Sequence, residues 1–223
     1  MFMSLKMMIL SKLIDIKNIN NRANGRAQIE RALDRSVNDE KVLVFCSKKQ
    51  ICDVLSEIYD APKYYSDAPN KKSTLENWKK GLMTATGSLG AGVDIGKILD
   101  IFHWGIPTGM INFDQEVGRG GRGGETVQSI ILLSEQEFKK LFNTESSLLS
   151  PDEAGLQELI IRMDCRRMQI SSFMDGEEHI HTCESIDGEV CDRCGGIMSE
   201  TERKIRGVQN TVQASLFVCK NNE

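Results

Sequence analysis

An excess of basic residues, a long uninterrupted apolar run, an internal repeat and a phosphate-cradling loop are all missing from this sequence of 223 residues. A formal charge of −4 excludes a protein that coats nucleic acid by bulk positive charge, while leaving room for a local groove of Lys and Arg. The opening stretch MFMSLKMMILSKLIDI is broken by Lys6, Lys12 and Asp15, too often for a signal-peptide core or a bilayer span. That reads as an intracellular protein with an amphipathic N-terminal helix. Neither GxxxxGK(S/T) nor DExH occurs, so the phosphate cradle and the magnesium carboxylate of an ATPase are absent.

What is present suffices for one α/β core and a smaller appended unit, because 40% of the residues are hydrophobic. Ile9, Leu13 and Ile16 recur at helical spacing, as do Ile29, Leu33 and Val37, predicting a helical segment over residues 1–39. The run KVLVFC at Lys41 to Cys46 then reads as a buried strand, and Ile51, Val54, Leu55 and Ile58 follow it as one face of a helix. Further strands are predicted at Lys63 to Ser66, Leu82 to Thr86, Ile98 to Trp104 and Ser129 to Leu133. Helices are predicted at Ser73 to Lys80, Asn112 to Arg119 and Glu135 to Asn143. Strands alternating with helices imply a parallel sheet covered on both faces. A polar link near residue 145 ends this unit, and Ser150-Pro151-Asp152-Glu153 opens a new helix with a capping-box pattern.

Parallel sheets concentrate function in the loops at the carboxyl ends of their strands. After LMTAT comes GSLGAGVD, with glycines at 87, 90 and 92 and a carboxylate at Asp94, a loop able to approach phosphates or a sugar. Some twenty residues on stands QEVGRGGRGGE, in which Arg119 and Arg122 are framed by five glycines. Glycines on both sides of each arginine let the guanidinium groups project from a compact turn toward an anion.

Seven cysteines include four between Cys165 and Cys194, an arrangement that suits a reducing compartment and a metal site better than a disulfide framework. Cys165, Cys183 and the CxxC pair Cys191 and Cys194 could close a tetrahedral Zn2+ site with Zn–S distances of about 2.3 Å, structural and with no open position. A redox CxxC usually opens a helix after a strand, which is not the context here. His179 and His181 flank Cys183 and could replace one cysteine as ligand.

TGSLGAGVD followed by QEVGRGGR resembles motifs V and VI of superfamily-two helicases, HWGIP resembles the strand-end segment between them, and KVLVFCSKK resembles motif IV. Cys165-Arg166-Arg167-Met168, continuing to Gly176, resembles the helix that opens the zinc module of RecQ helicases, and the long Cys183–Cys191 insertion is similar to divergent fungal RecQ-like helicases. The resemblance implies a RecA-like parallel sheet over residues 40–145, a small helical zinc-binding subdomain over 146–197 and a polar tail over 198–223. It implies that Arg122 is an arginine finger and Arg119 its partner. Gly92, Asp94 and Gln115 would join them at ATP, with Gln115 coupling nucleotide to nucleic acid. Ser47, Lys48, Thr86 and Ser88 would contact DNA.

ATP and Mg2+ would then be held by a separate N-terminal ATPase lobe, the partner without which this chain is inactive, and a eukaryotic host would place the protein in the nucleus. Tyr64-Tyr65-Ser66-Asp67 stands where RecQ proteins carry a His-Ala-Gly segment. DEAD-box RNA helicases carry His where this chain has Gln115 and lack the CRR-zinc module, which points to DNA. The competing expectation is a noncatalytic module that holds DNA or a protein through its zinc unit and basic loops.

Overall fold

The computed structural model describes residues 12–19, 22–89, 95–186 and 189–195. Its strands are β1 (Lys12–Ile19), β2 (Lys41–Cys46), β3 (Lys63–Tyr64), β4 (Gly81–Ala85), β5 (Ile98–Trp104) and β6 (Val127–Ser134). They form one sheet in the order β1-β6-β5-β2-β4-β3, and every neighbouring pair is parallel. The helices are α1 (Arg22–Arg35), α2 (Lys49–Tyr59), α3 (Lys71–Asn77), α4 (Met110–Val117), α5 (Glu135–Asn143), α6 (Pro151–Ile161) and α7 (Arg166–Asp175).

The two-residue period of a strand sorts the core. Val42, Val44 and Cys46 of β2 join Phe102, Ile130 and Leu132 beneath α1 and α2, where Ile29, Ala32, Cys52 and Leu55 are buried. Leu43 and Phe45 point to the other face, with Met83, Ala85, Ile98 and Ile101. On that same side Ile131 and Leu133 of β6 pack under α4 to α7 through Phe113, Phe138, Leu156, Leu159 and Ile170. Both faces are covered, as the near-continuous apolar strands require.

One expectation fails. Residues 12–19, assigned to an amphipathic helix, form edge strand β1, in register with β6 from Lys12 opposite Val127 to Ile19 opposite Ser134. The apolar residues of this stretch fit either period, and the three isoleucines at 14, 16 and 19 are β-branched. The choice is made by β6, more than a hundred residues away, whose free edge supplies the hydrogen-bond partners. The second predicted helix is present as α1, but Val37 lies beyond its end and is exposed.

Helix α6 begins where the capping pattern placed it. Ser150 Oγ accepts from the Glu153 amide while the Glu153 carboxylate accepts from the Ser150 amide at 2.9 Å. Asp152 reaches the other way and accepts from the Ile111 amide at 2.8 Å, tying α6 to the first turn of α4. A Cβ on Gly155 would meet the Phe173 ring at 2.4 Å, so this glycine lets α7 pack closely on α6.

Candidate functional site

Because the sheet is wholly parallel, the residues that follow β2, β4 and β5 meet at one edge. A cleft there is lined by Cys46, Ser47, Thr86, Gly87, Trp104 and Glu116, among others. Ser47 and Lys48 are exposed, Lys48 standing at the N-cap of α2 in extended conformation. Thr86 and Ser88 share a hydroxyl–hydroxyl hydrogen bond of 3.0 Å. All four residues expected at nucleic acid therefore lie around this edge, and hydroxyls with a nearby ammonium are groups that bind a phosphodiester backbone. Tyr65, in the segment that departs from the RecQ pattern, has the Lys49 ammonium 5.5 Å from its ring centroid, and Lys49 is also paired with Asp67.

The backbone of the arginine loop is anchored elsewhere. Helix α4 starts near the carboxyl edge and runs back across the sheet, burying Met110, Phe113 and Val117. A Cβ on Gly120 would come 2.7 Å from Val127 and 3.0 Å from the Ile98 carbonyl oxygen, so the arginine loop is pressed onto the first residues of β5 and β6. Arg119 is buried and Arg122 exposed. Burial, and then the like charge of Arg122, pull the Arg119 guanidinium below its ordinary pKa, and the Glu116 carboxylate opposes this. Two cations held together in this way favour an anion between them. Gln115 is exposed on α4, and Gly92 and Asp94 lie outside the described residues.

Between the two places stands a pair that the sequence reading did not single out. His103 Nε2 lies 2.9 Å from Glu116 Oε2, with the imidazole side chain 3% exposed. The ring stacks on Phe45 at 5.4 Å between centroids and tilts against Phe113 at 5.0 Å. The signal was available: in ILDIFHW the alternation that turns Ile101 inward turns His103 inward too, and a buried polar side chain needs a partner.

The cysteines converge. The four sulfurs of Cys165, Cys183, Cys191 and Cys194 all lie within 4.8 Å of one another, and neither His179 nor His181 belongs to the group. Cys183, set off by the insertion, is buried with its sulfur 3.6 Å from that of Cys165. Sulfurs around a tetrahedral zinc at about 2.3 Å stand about 3.8 Å apart, so this spacing fits the ion. The Cys191 amide donates to Cys183 Sγ and the Arg166 amide to Cys191 Sγ, both at 3.4 Å. Such donors stabilise thiolates. A hydrogen bond to Cys165 pushes the Cys191 thiol up to about 12, burial pushes Cys194 up to about 11, and the bond from Cys191 lowers Cys165. Thiols this close ionise together only with a cation among them.

Beside the cluster, Arg166 is fully buried and holds Asp192 with two bonds of 2.9 and 2.8 Å. Arg166 also donates to the carbonyls of Leu159 and Ile160, and Arg193 to those of Ile160 and Arg162. The two guanidinium groups thus satisfy the open C-terminal carbonyls of α6.

Residues 25–124 match the profile described as Helicase conserved C-terminal domain. Over that stretch, just under half of its length, this chain is similar to helicase C-terminal domains. Over 121 residues, half of this chain, it is 26% identical to DEAD-box ATP-dependent RNA helicase 14 of Arabidopsis thaliana, covering 20% of that protein. It is 18% identical over 212 residues to the Caenorhabditis elegans protein named Putative ATP-dependent DNA helicase Q1, a match covering 87% of this chain and 33% of the relative. The chain therefore spans a fifth to a third of the length of these curated relatives. The crystal structure of the yeast DEAD-box splicing factor Prp28 superposes with a TM-score of 0.51 at 17% identity, covering 62% of this chain and 31% of that one. The fold is a RecA-like parallel sheet flanked by helices. Among the described residues no helix is long and apolar enough to cross a membrane.

Proposed function

We propose that this chain acts as the second motor lobe of a RecQ-like, ATP-dependent 3′-to-5′ DNA helicase, closing on ATP and Mg2+ held by a first lobe. The observation that carries this reading is the four-sulfur cluster, packed through α6 and α7 against the helicase domain. In this reading Zn2+ is held by Cys165, Cys183, Cys191 and Cys194, and its role is to fold the cysteine unit. Arg122 is the arginine finger, Arg119 its buried partner, and Gly92, Asp94 and Gln115 complete the nucleotide side. Ser47, Lys48, Thr86 and Ser88 hold the DNA backbone. The length of the nematode match supports the assignment, because a segment of 87% of this chain must take in Cys165 to Cys191, whereas the DEAD-box match extends over half.

The helicase domain's higher identity to the DEAD-box relative favours a second reading, an RNA helicase lobe. Turnover of ATP by this chain together with a first lobe separates them: single-stranded DNA should stimulate it more than RNA of equal length, and the reverse order would select the second reading. Arg122→Ala should lower that turnover by about 10³-fold or more without unfolding the chain, and unchanged turnover would remove Arg122 from the mechanism. Purified chain should carry close to one equivalent of zinc, and metal-free folded protein would overturn the site.

A further inference from the structure

The residues assigned to nucleic acid lie around the carboxyl-edge cleft, the backbone of the arginine loop packs on the first residues of β5 and β6, and one half-buried residue, Glu116, meets the first through its side chain and the second through its main chain. Glu116 lies three residues before Arg119, whose amide donates to the Glu116 carbonyl at 3.3 Å in the turn that ends α4. The Glu116 side chain points the other way, to the carboxyl edge. There it lines the cleft with Ser47 and Thr86, and its Oε1 stands 3.0 Å from where a Cβ on Gly87 would be. Its Oε2 is held 2.9 Å from His103 Nε2. The carboxylate is 13% exposed, enough shielding for its charge to act on neighbours with little screening by water.

We infer that His103 and Glu116 are positioning residues that couple the Thr86–Ser88 loop at the carboxyl edge to the arginine loop. The inference rests on the proposed roles of those two loops. His103, wedged between Phe45 and Phe113, anchors the carboxylate in one place. Gly87 has no side chain, which lets Oε1 stand in the space that a Cβ there would crowd. A nucleic-acid strand engaging the hydroxyls of Thr86 and Ser88 shifts Gly87. The displaced carboxylate then changes both the field at Arg119 and the turn from which Arg119 projects. Arg119 is the buried member of the arginine pair, and the carboxylate opposes the repulsion it feels from Arg122. A small movement at one place is in this way read at the other as a change in guanidinium position, which is what coupling between two ligand sites requires.

The test uses the chain itself, 15N-labelled, with oligo-dT as the probe and the arginine Nε–H resonances as the readout. In the wild type, oligo-dT should move the Thr86–Ser88 amides and the Arg119 Nε–H resonance together. Glu116→Gln keeps the shape and an acceptor for His103 but removes the charge. His103→Asn removes the anchor. Both variants should still bind oligo-dT while the Arg119 response falls to about a fifth or less. Gly87→Ala, which crowds Oε1, should displace the Arg119 resonance with no oligonucleotide present. An undiminished Arg119 response in Glu116→Gln, with binding intact, overturns the coupling and leaves the helicase reading standing. A wild type whose Thr86–Ser88 amides ignore oligo-dT overturns the DNA-binding edge and the coupling with it. Equal thermal melting of the variants and the wild type keeps a folding defect from imitating the expected loss.

Discussion

The sheet domain and the cysteine unit are stabilised by opposite means. In the sheet domain the largest fully buried side chains are apolar, Phe102, Phe113, Leu43, Met83 and Ile131 among them. In the cysteine unit the largest are Arg166 and Arg167, with Ser171, Gln169, Asp192 and Arg193 also buried. A layered sheet has enough area to exclude water over many strands, at roughly 25 cal/mol per Å² of apolar surface removed. A unit of a few dozen residues does not, and small units rely on staples such as a metal, a disulfide or a dense polar network. Here the sulfur cluster and the Arg166–Asp192 pair hold one another: the Arg166 amide donates to Cys191, and Asp192 lies inside the CxxC. The unit also depends on its neighbour, because Leu156, Leu159, Ile160 and Ile170 are buried in one cluster with Phe113 of α4, Phe138 of α5 and Ile131 and Leu133 of β6.

That contrast can be broken from its strong end. Chelation should unfold the cysteine unit while the sheet persists, since structural zinc in small units contributes about 10 kcal/mol or more to folding. Hydrogen exchange should then show α7 losing protection with β2, β5 and β6 unaffected; simultaneous loss would mean that the two regions form one cooperative body. Asp192→Ala, which strands the buried charge of Arg166, should cost about 3–5 kcal/mol by denaturant unfolding and weaken zinc retention. Met83→Ala in the sheet should cost about 2–5 kcal/mol through a cavity while zinc affinity stays unchanged, a separation that sharpens the comparison. Ser150→Ala should cost only about 1 kcal/mol, at the first turn of α6. The same cap carries a pH dependence. Bonds from Ser150 hold the Glu153 carboxyl below the ordinary carboxylate range, so its stabilisation is complete above the unfolded pKa. It is lost as pH falls through the folded value, and the protection of amides in that turn, relative to their intrinsic exchange at each pH, should fall only on acidification.

Much of this was legible before any coordinates. The strand Ile98–Trp104 and the helix Glu135–Asn143 were bounded by their own periodicity and turn residues, and the capping box at Ser150 by its spacing. The cysteine set was legible because thiolates at such spacing have few other uses, and the structure brings all four together in spite of the Cys183–Cys191 insertion. Edge strand β1 was not, because its apolar residues satisfy two periods and only β6 decides between them. Nor was the His103–Glu116 pair, whose members are ordinary polar residues 13 positions apart until the sheet sets them 2.9 Å from each other.

Composition and local pattern by themselves determined the class of fold, the presence of an arginine loop and a four-thiol unit, and the limits that a charge of −4 places on nucleic-acid binding. These follow from neighbours in the chain, through side-chain period, capping and ligand spacing. The tertiary structure alone decided that the turn after α4 packs on the first residues of β5 and β6, that the half-buried Glu116 carboxylate lies beside His103, and that two arginines of the cysteine unit close the end of α6. Those are contacts between segments far apart in sequence, and strand order and packing, which no local pattern encodes, bring them together.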